Sequence, residues 1–175
     1  MRLSIRPEQR AVIEQVAEEN FVGRLCAHLR REYADAAVTL PEGERATVAA
    51  LDEATLDALV RTGIERARGH GFALESSISA FVATMFEAAP NFDEHRLCKV
   101  LLEDEEIEPD RRLGEMLDVL TDKNWEAVRA AYDPQAWRRA EERAETPAEE
   151  SGAAGGGAAA GGEKEDPDLL QTVKI

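Results

Sequence analysis

The stretch that decides the fold is SSISAFVATMFEAAP, residues 76–90, the most apolar and least charged part of the chain. Its large apolar residues recur with the spacing of one helix face. They are Ile78, Phe81, Val82, Met85, Phe86 and Ala89. Glu87 is the only charged residue in the stretch. We therefore predict a helix that is buried on most sides, that Pro90 closes, and on which the other helices pack.

Two amphipathic helices are predicted before this stretch. The first covers roughly residues 7–35 and begins at Pro7, a residue that suits the first helical position. Its apolar line is Ile13, Ala17, Phe21, Leu25, Leu29 and Tyr33, with Val12, Val16 and Cys26 beside it. The second has Asp52 as its N-cap and ends at Gly69 or Gly71. Its apolar residues are Leu56, Leu59, Val60, Ile64 and Ala67.

Shorter helices are predicted after the central stretch. Their expected first or capping residues are Asp93, Pro109, Asp122 and Asp133. Their apolar positions are Leu97, Val100, Leu101, Leu113, Met116, Leu117, Leu120, Trp125, Val128, Tyr132 and Trp137. No segment alternates like a strand over more than a few residues. The expected fold is all-α, a single orthogonal bundle of about six or seven helices over residues 1–145.

Composition limits the classes of function. The 175 residues carry a net charge of −15, which repels phosphate backbones and anionic lipids, so nucleic-acid binding is not expected. The chain contains no run of about 18 apolar residues, so no membrane span is predicted. Two cysteines are too few for a disulfide scaffold, and the charged N-terminus lacks the apolar segment of a secretory signal. We expect free thiols and a cytoplasmic protein, with export through a contractile secretion machine left open.

The composition changes near Thr146. Residues 146–165 are mostly Ala, Gly, Glu and Ser and predict a flexible, disordered linker. Apolar side chains return in residues 166–175, at Leu169, Leu170, Val173 and Ile175. Such a cluster docks on its own domain or binds a second protein, by strand addition or carboxylate capture. The long linker favours a second protein, so we interpret residues 166–175 as a recognition peptide.

Candidate chemical sites have simpler explanations. Cys26, His28, His95 and Cys98 form the ligand set of a structural zinc, but Cys26 and His28 point about 160° apart on one helix. Asp93 with Glu94 and His95 resembles an acid–base cluster, yet Asp93 is better explained as a helix cap. We therefore expect no cofactor, no metal and no catalytic residue. A small metal-dependent enzyme is the least favoured of the three functions considered.

Two further features are candidates for partner binding. The first is the acidic run Glu103, Asp104, Glu105 and Glu106, which is either a solvated helix end or a surface for a basic partner. The second is Trp137: a Trp such as Trp125 or Trp137 is more often a core residue than a partner anchor, but Trp137 is the better interface candidate because its predicted helix is otherwise charged.

Three stretches together resemble a group of small helical bacterial proteins encoded beside type VI secretion spike and effector genes. They are residues 21–31, 63–72 and 81–93. The resemblance covers roughly residues 5–135 and implies an adaptor, chaperone or immunity role, with no catalytic residue. The leading hypothesis is a non-enzymatic protein–protein adaptor that uses the C-terminal peptide. The alternative is an acidic immunity or inhibitor protein that occupies the basic site of a toxin.

Overall fold

The computed structural model describes residues 6–145, and in this range the chain forms seven α-helices, one β-hairpin and three 3-10 turns. The helices are α1 Pro7–Glu32, α2 Glu53–Gly69, α3 Glu75–Glu87, α4 Arg96–Leu102, α5 Pro109–Val119, α6 Asp122–Ala130 and α7 Ala140–Glu145. The strands are β1 Ala37–Thr39 and β2 Arg45–Thr47. The 3-10 turns are Val48–Ala50, Phe92–Glu94 and Pro134–Trp137. The prediction of an all-helical bundle with six or seven helices is confirmed.

Helix α3 lies at the centre, as predicted, and α1, α2, α5 and β1 pack around it. The six apolar positions of the central stretch are all buried. The Phe81 ring lies 4.8 Å from that of Phe92 and 5.7 Å from that of Phe72, measured between centroids. Because aromatic rings bury large areas and pack at such distances, this cluster anchors the core.

Gly63 allows α2 to approach α3 closely. A Cβ at this position would lie 3.0 Å from a methyl group of Val82 and 3.1 Å from the sulfur of Met85. These distances leave no room for even a methyl group without movement of its neighbours. The small residue therefore sets the separation of the two central helices.

Helices α1 and α2 run antiparallel. The Arg30 guanidinium donates to the carbonyl of Leu51, before α2 begins, at 3.0 Å. Near the other end of α2, Arg68 donates to the Glu18 carboxylate at 2.7 Å. Before Glu18 every residue of α1 is exposed, so no other element in residues 6–145 covers this part of the helix. We call residues 7–17 the α1 arm; at 1.5 Å per residue the arm is about 16 Å long.

The prediction that one apolar face runs along the whole of α1 is wrong. Phe21, Leu25 and Leu29 are buried, but Ile13 is exposed, and so are Val12 and Val16. Residues spaced by four drift about 40° per step around a helix, so Ile13 lies about 160° from Leu29. The i, i+4 line therefore crosses from the outer surface of α1 to its inner surface.

The β-hairpin was not predicted. Strands β1 and β2 are antiparallel, with Val38 opposite Ala46, and Gly43 turns the chain with a φ of 87°. The Tyr132 hydroxyl accepts a hydrogen bond from the backbone N–H of Thr39 at 3.0 Å. Strands of three residues are too short for alternation to show in the sequence, and this contact from a distant residue helps to hold the hairpin.

Two of the predicted helix caps are wrong. Asp52 caps α2 as predicted, because its carboxylate accepts a hydrogen bond from the N–H of Thr55 at 2.9 Å. However, Thr121 rather than Asp122 caps α6, by a reciprocal hydrogen-bond pair with Asn124. Asp93 caps no helix, because it lies buried within the Phe92–Glu94 turn. No helix in residues 6–145 has the length and apolar character needed to cross a membrane.

Candidate partner-binding site

The C-terminal candidate residues and the linker lie outside residues 6–145. Leu169, Leu170, Val173 and Ile175 therefore stay predictions. The side chains of residues 6–145 form a hydrophobic core by themselves. Phe81, Phe92, Leu29, Leu56, Ile64, Met85, Leu102 and Met116 are all among its fully buried members.

The interpretation of Trp137 as an exposed interface anchor is wrong. Its side chain is only 3% exposed, and its ring lies 4.8 Å from that of Phe86. The indole N–H donates to the Tyr132 hydroxyl at 3.1 Å. Sequence suggested a surface residue because the neighbours of Trp137 are charged. The 3-10 turn Pro134–Trp137 instead directs this one ring into the core.

The acidic run lies between α4 and α5 and serves two roles. Glu103 is paired with Lys99 at 3.8 Å, one helical turn away. Asp104 accepts a hydrogen bond from the N–H of Glu106 at 2.9 Å and so shapes the local turn. Glu105 and Glu106 are exposed and form no ion pair with any residue in 6–145. These two carboxylates are therefore available to a cationic group on another molecule.

A shallow cleft adjoins the acidic run. Its lining residues are Gly69, His70, Leu102, Glu103, Glu105 and Arg112. The Arg112 side chain donates to the carbonyls of Ile107 at 2.9 Å and of Leu102 at 3.2 Å, so this cation holds the loop in place. Glu103 and Glu105 carry the opposite charge to Arg112 and outnumber it, so the cleft prefers a basic ligand.

A buried charge network, which sequence reasoning missed, lies behind the cleft. Arg66 of α2 donates through one nitrogen to the carbonyls of Pro90 at 2.9 Å and Ala136 at 3.0 Å. Through its other terminal nitrogen it bonds to the carboxylates of Asp93 and of Glu94. A sequence signal existed, because Arg66 follows Leu59 by seven residues and so shares its buried face. A cation on a buried face requires an anion from elsewhere in the fold.

Asp93 is the anion of this network and also orients a histidine. Its second oxygen lies 3.0 Å from Nε2 of His70. Burial acts to raise the pKa of Asp93, but the hydrogen bond with His70 and the charge of Arg66 outweigh it and lower that pKa. An anion already neutralised by Arg66 is a poor proton acceptor. The network is therefore suited to fixing α2 against the Phe92–Glu94 turn rather than to moving protons.

The two cysteines are free, as predicted. Burial, with the charge of Asp93, raises the pKa of the Cys98 thiol to about 12, and burial also raises the pKa of Cys26. Neither thiol is therefore activated as a nucleophile or thiolate ligand. Across residues 6–145 there is no group of three or more His, Cys, Asp or Glu side chains placed to hold a metal ion.

The outer face of the α1 arm is a second feature that sequence reasoning missed. Val12, Ile13 and Val16 are 61%, 57% and 54% exposed. At about 100° per residue, Val12 points about 180° away from Phe21, the first core residue of α1. We call these three residues the arm patch. The sequence did indicate this exposure, because apolar residues spaced by four rotate about 40° per step around α1 and so leave its buried face.

Comparison of the chain with protein-family models, with curated proteins and with solved structures finds no match. Residues 21–31, 63–72 and 81–93 lie in α1, across α2 to Phe72, and from α3 to Asp93. They supply much of the core, including Phe21, Ile64 and Phe81.

Proposed function

We propose that this protein is a non-enzymatic protein–protein adaptor that holds a partner through its C-terminal peptide, residues 166–175. The supporting observation is that residues 6–145 build a closed core around α3 from their own side chains. The apolar residues Leu169, Leu170, Val173 and Ile175 are therefore not required for that core. Ordering a short peptide costs about 1–2 kcal/mol per residue, so these residues need a surface on which to pack.

The mechanism is an increase in effective concentration. A linker of about 20 residues has a reach of roughly 25 Å, so a peptide-bound partner stays close to whatever the helical domain contacts. The resemblance to helical proteins encoded beside type VI secretion genes suggests the components that are joined. We propose that the adaptor serves a spike or an effector of such a system.

The test uses the full chain and purified spike and effector proteins from the organism that encodes it. Wild type is expected to bind one of them with a Kd in about the micromolar range, because the peptide buries little area. Val173→Asp with Ile175→Asp should weaken binding more than about tenfold, since a charge then replaces each apolar contact.

A matched control adds the same charge between the apolar positions. Gln171→Asp with Thr172→Asp should bind like wild type. Undiminished binding by the Val173→Asp, Ile175→Asp variant would contradict the proposal, and so would the absence of binding to any of these proteins.

The acidic cleft supports a second candidate function, an inhibitor or immunity protein for a basic toxin site. Glu105 and Glu106 are exposed without ion pairs in the described part of the chain, and Glu105 lines the cleft with Glu103. This function predicts salt-sensitive binding that Glu105→Gln with Glu106→Gln weakens. Glu8→Gln with Glu126→Gln removes two exposed carboxylates elsewhere and should have no effect. Binding that survives the first pair or is insensitive to salt would reject this candidate.

A further inference from the structure

The arm patch is poorly explained by the stability of α1 itself. Valine and isoleucine are β-branched and are weaker helix formers than alanine or leucine. Val12, Ile13 and Val16 nevertheless lie on one exposed face, where no residue of the described part covers them. Their placement is that of a contact surface.

We propose that the arm patch binds the C-terminal peptide of the same chain, through Leu169, Leu170 and Val173. The two segments have matching apolar spacing. Val12, Ile13 and Val16 occur at i, i+1 and i+4, and so do the three residues of the peptide. A helix formed by the peptide on binding places its three residues on one face, as α1 does for the arm patch, so the two stripes then cover each other and leave water.

The chain passes the base of the arm just before α7. Arg139 lies 3.9 Å from Glu65 near the end of α2. It also lines a shallow pocket with Glu18 and Arg68, beside the base of the arm. Between Glu145 and Leu169 the chain has 23 residues, and a linker of this length and composition spans roughly 25 Å. This exceeds the arm length of about 16 Å.

The charges beside the two segments are mixed. Arg6, Glu8, Arg10 and Glu14 flank the arm patch, and Arg10 lies 4.0 Å from Glu14. Apolar contact rather than charge therefore supplies the affinity of the peptide for the arm patch.

The size of the arm patch favours a tethered occupant over a second copy of the chain. A stable interface between separate molecules buries about 800 Å² on each side and involves about 20–30 residues, far more than three side chains provide. A tethered peptide has an effective concentration in about the millimolar range. A contact with a Kd of about a millimolar is then about half occupied.

This contact goes beyond the proposed function and does not require it, because it exists in the isolated chain. Its consequence for an adaptor is competition. A partner that binds Leu169, Leu170 and Val173 must displace them from the arm patch. Release of the arm patch would then accompany partner binding.

The test is hydrogen exchange of the full chain, followed at the backbone amides of residues 11–17. Leu169→Asp with Val173→Asp should raise the exchange rate of these amides about twofold, because a contact that is about half occupied covers them for about half of the time. Gln171→Asp with Thr172→Asp adds the same charge and should leave the rates at the wild-type value. Amides of α3 report global stability and should not change in either variant.

Equal exchange rates at residues 11–17 in wild type and both variants would overturn the contact. The adaptor proposal would still rest on its own binding test. The rates are also compared over a 100-fold dilution, because a contact within one chain is independent of concentration. Slower exchange at higher protein concentration would assign the arm patch to a second copy and would likewise overturn the proposal.

Discussion

In the α2–α3 pair, large apolar side chains such as Leu56, Ile64 and Phe81 are covered by neighbours, whereas in the α1 arm Val12, Ile13 and Val16 face outward. The side chains are chemically alike, so their surroundings make the difference. Every residue of the arm is exposed, so no other element in residues 6–145 packs over it. A helix thus takes part in the core only as far as its neighbours extend.

Replacing Phe81 tests the covered side of this comparison and has the largest expected effect. Its ring is fully buried between Phe72 and Phe92. Phe81→Ala should lower the free energy of unfolding by about 3–5 kcal/mol, measured by denaturant titration. A loss under about 1 kcal/mol would show that α3 is not the centre of the fold.

Replacing Asp93 tests whether the core depends on its buried charge network. Asp93→Asn leaves the guanidinium of Arg66, only 15% exposed, without its main anion. Leaving a buried charge without its partner costs about 3–5 kcal/mol in the free energy of unfolding. Glu115→Gln breaks the exposed pair with Arg111 and is the control, with an expected loss under about 1 kcal/mol. Equal losses in the two variants would mean that the network does not stabilise the fold.

The same network predicts a pH dependence. The pKa of Asp93 is lower in the folded chain than its unfolded value of about 3.9. Its contribution to stability is therefore complete above about pH 4 and is lost as the pH falls through the folded-state pKa. The free energy of unfolding should fall more steeply between about pH 4 and pH 2 in wild type than in Asp93→Asn. Parallel curves over this range would contradict the assignment.

Replacing glycines in α1 and α2 compares an open helix surface with a covered one, and the expected changes in stability are smaller. Gly63→Ala gains about 1 kcal/mol of helix propensity but forces the new methyl group toward Val82 and Met85, at a cost of about 1–3 kcal/mol. Gly23→Ala in α1 meets no atom within 4 Å and should stabilise by about 1 kcal/mol. Melting temperatures should therefore shift upward for Gly23→Ala and remain equal or fall for Gly63→Ala. A rise of equal size in both would contradict the close packing at Gly63.

The sequence was sufficient to predict the central part of the fold because the residues of α2 and α3 repeat with a strict helical period. Asp52 could also be assigned as a cap, since its hydrogen bond to Thr55 is local. Asp93 could not, because its partners Arg66 and His70 are more than 20 residues away and only the fold brings them together. The exposure of Ile13 depends on which elements pack beside α1, which the sequence of α1 does not contain.

The acidic run and Trp137 show the same limit at the candidate binding site. Local sequence identified Glu105 and Glu106 as charged and exposed, and the structure places both on the surface. The charged neighbours of Trp137 predicted a surface ring, but the contact with Phe86 is made across 51 positions of sequence and buries it. A residue's neighbours in sequence predict its exposure only when its element follows a regular period.

The most direct test of the account replaces one residue in each half of α1 and compares the free energies of unfolding. Leu29→Ala removes a fully buried side chain and should cost about 2–5 kcal/mol. Ile13→Ala removes an exposed side chain from the same helix and should change stability by less than about 0.5 kcal/mol. Losses of similar size at the two positions would contradict the division of α1 into a core half and an exposed arm.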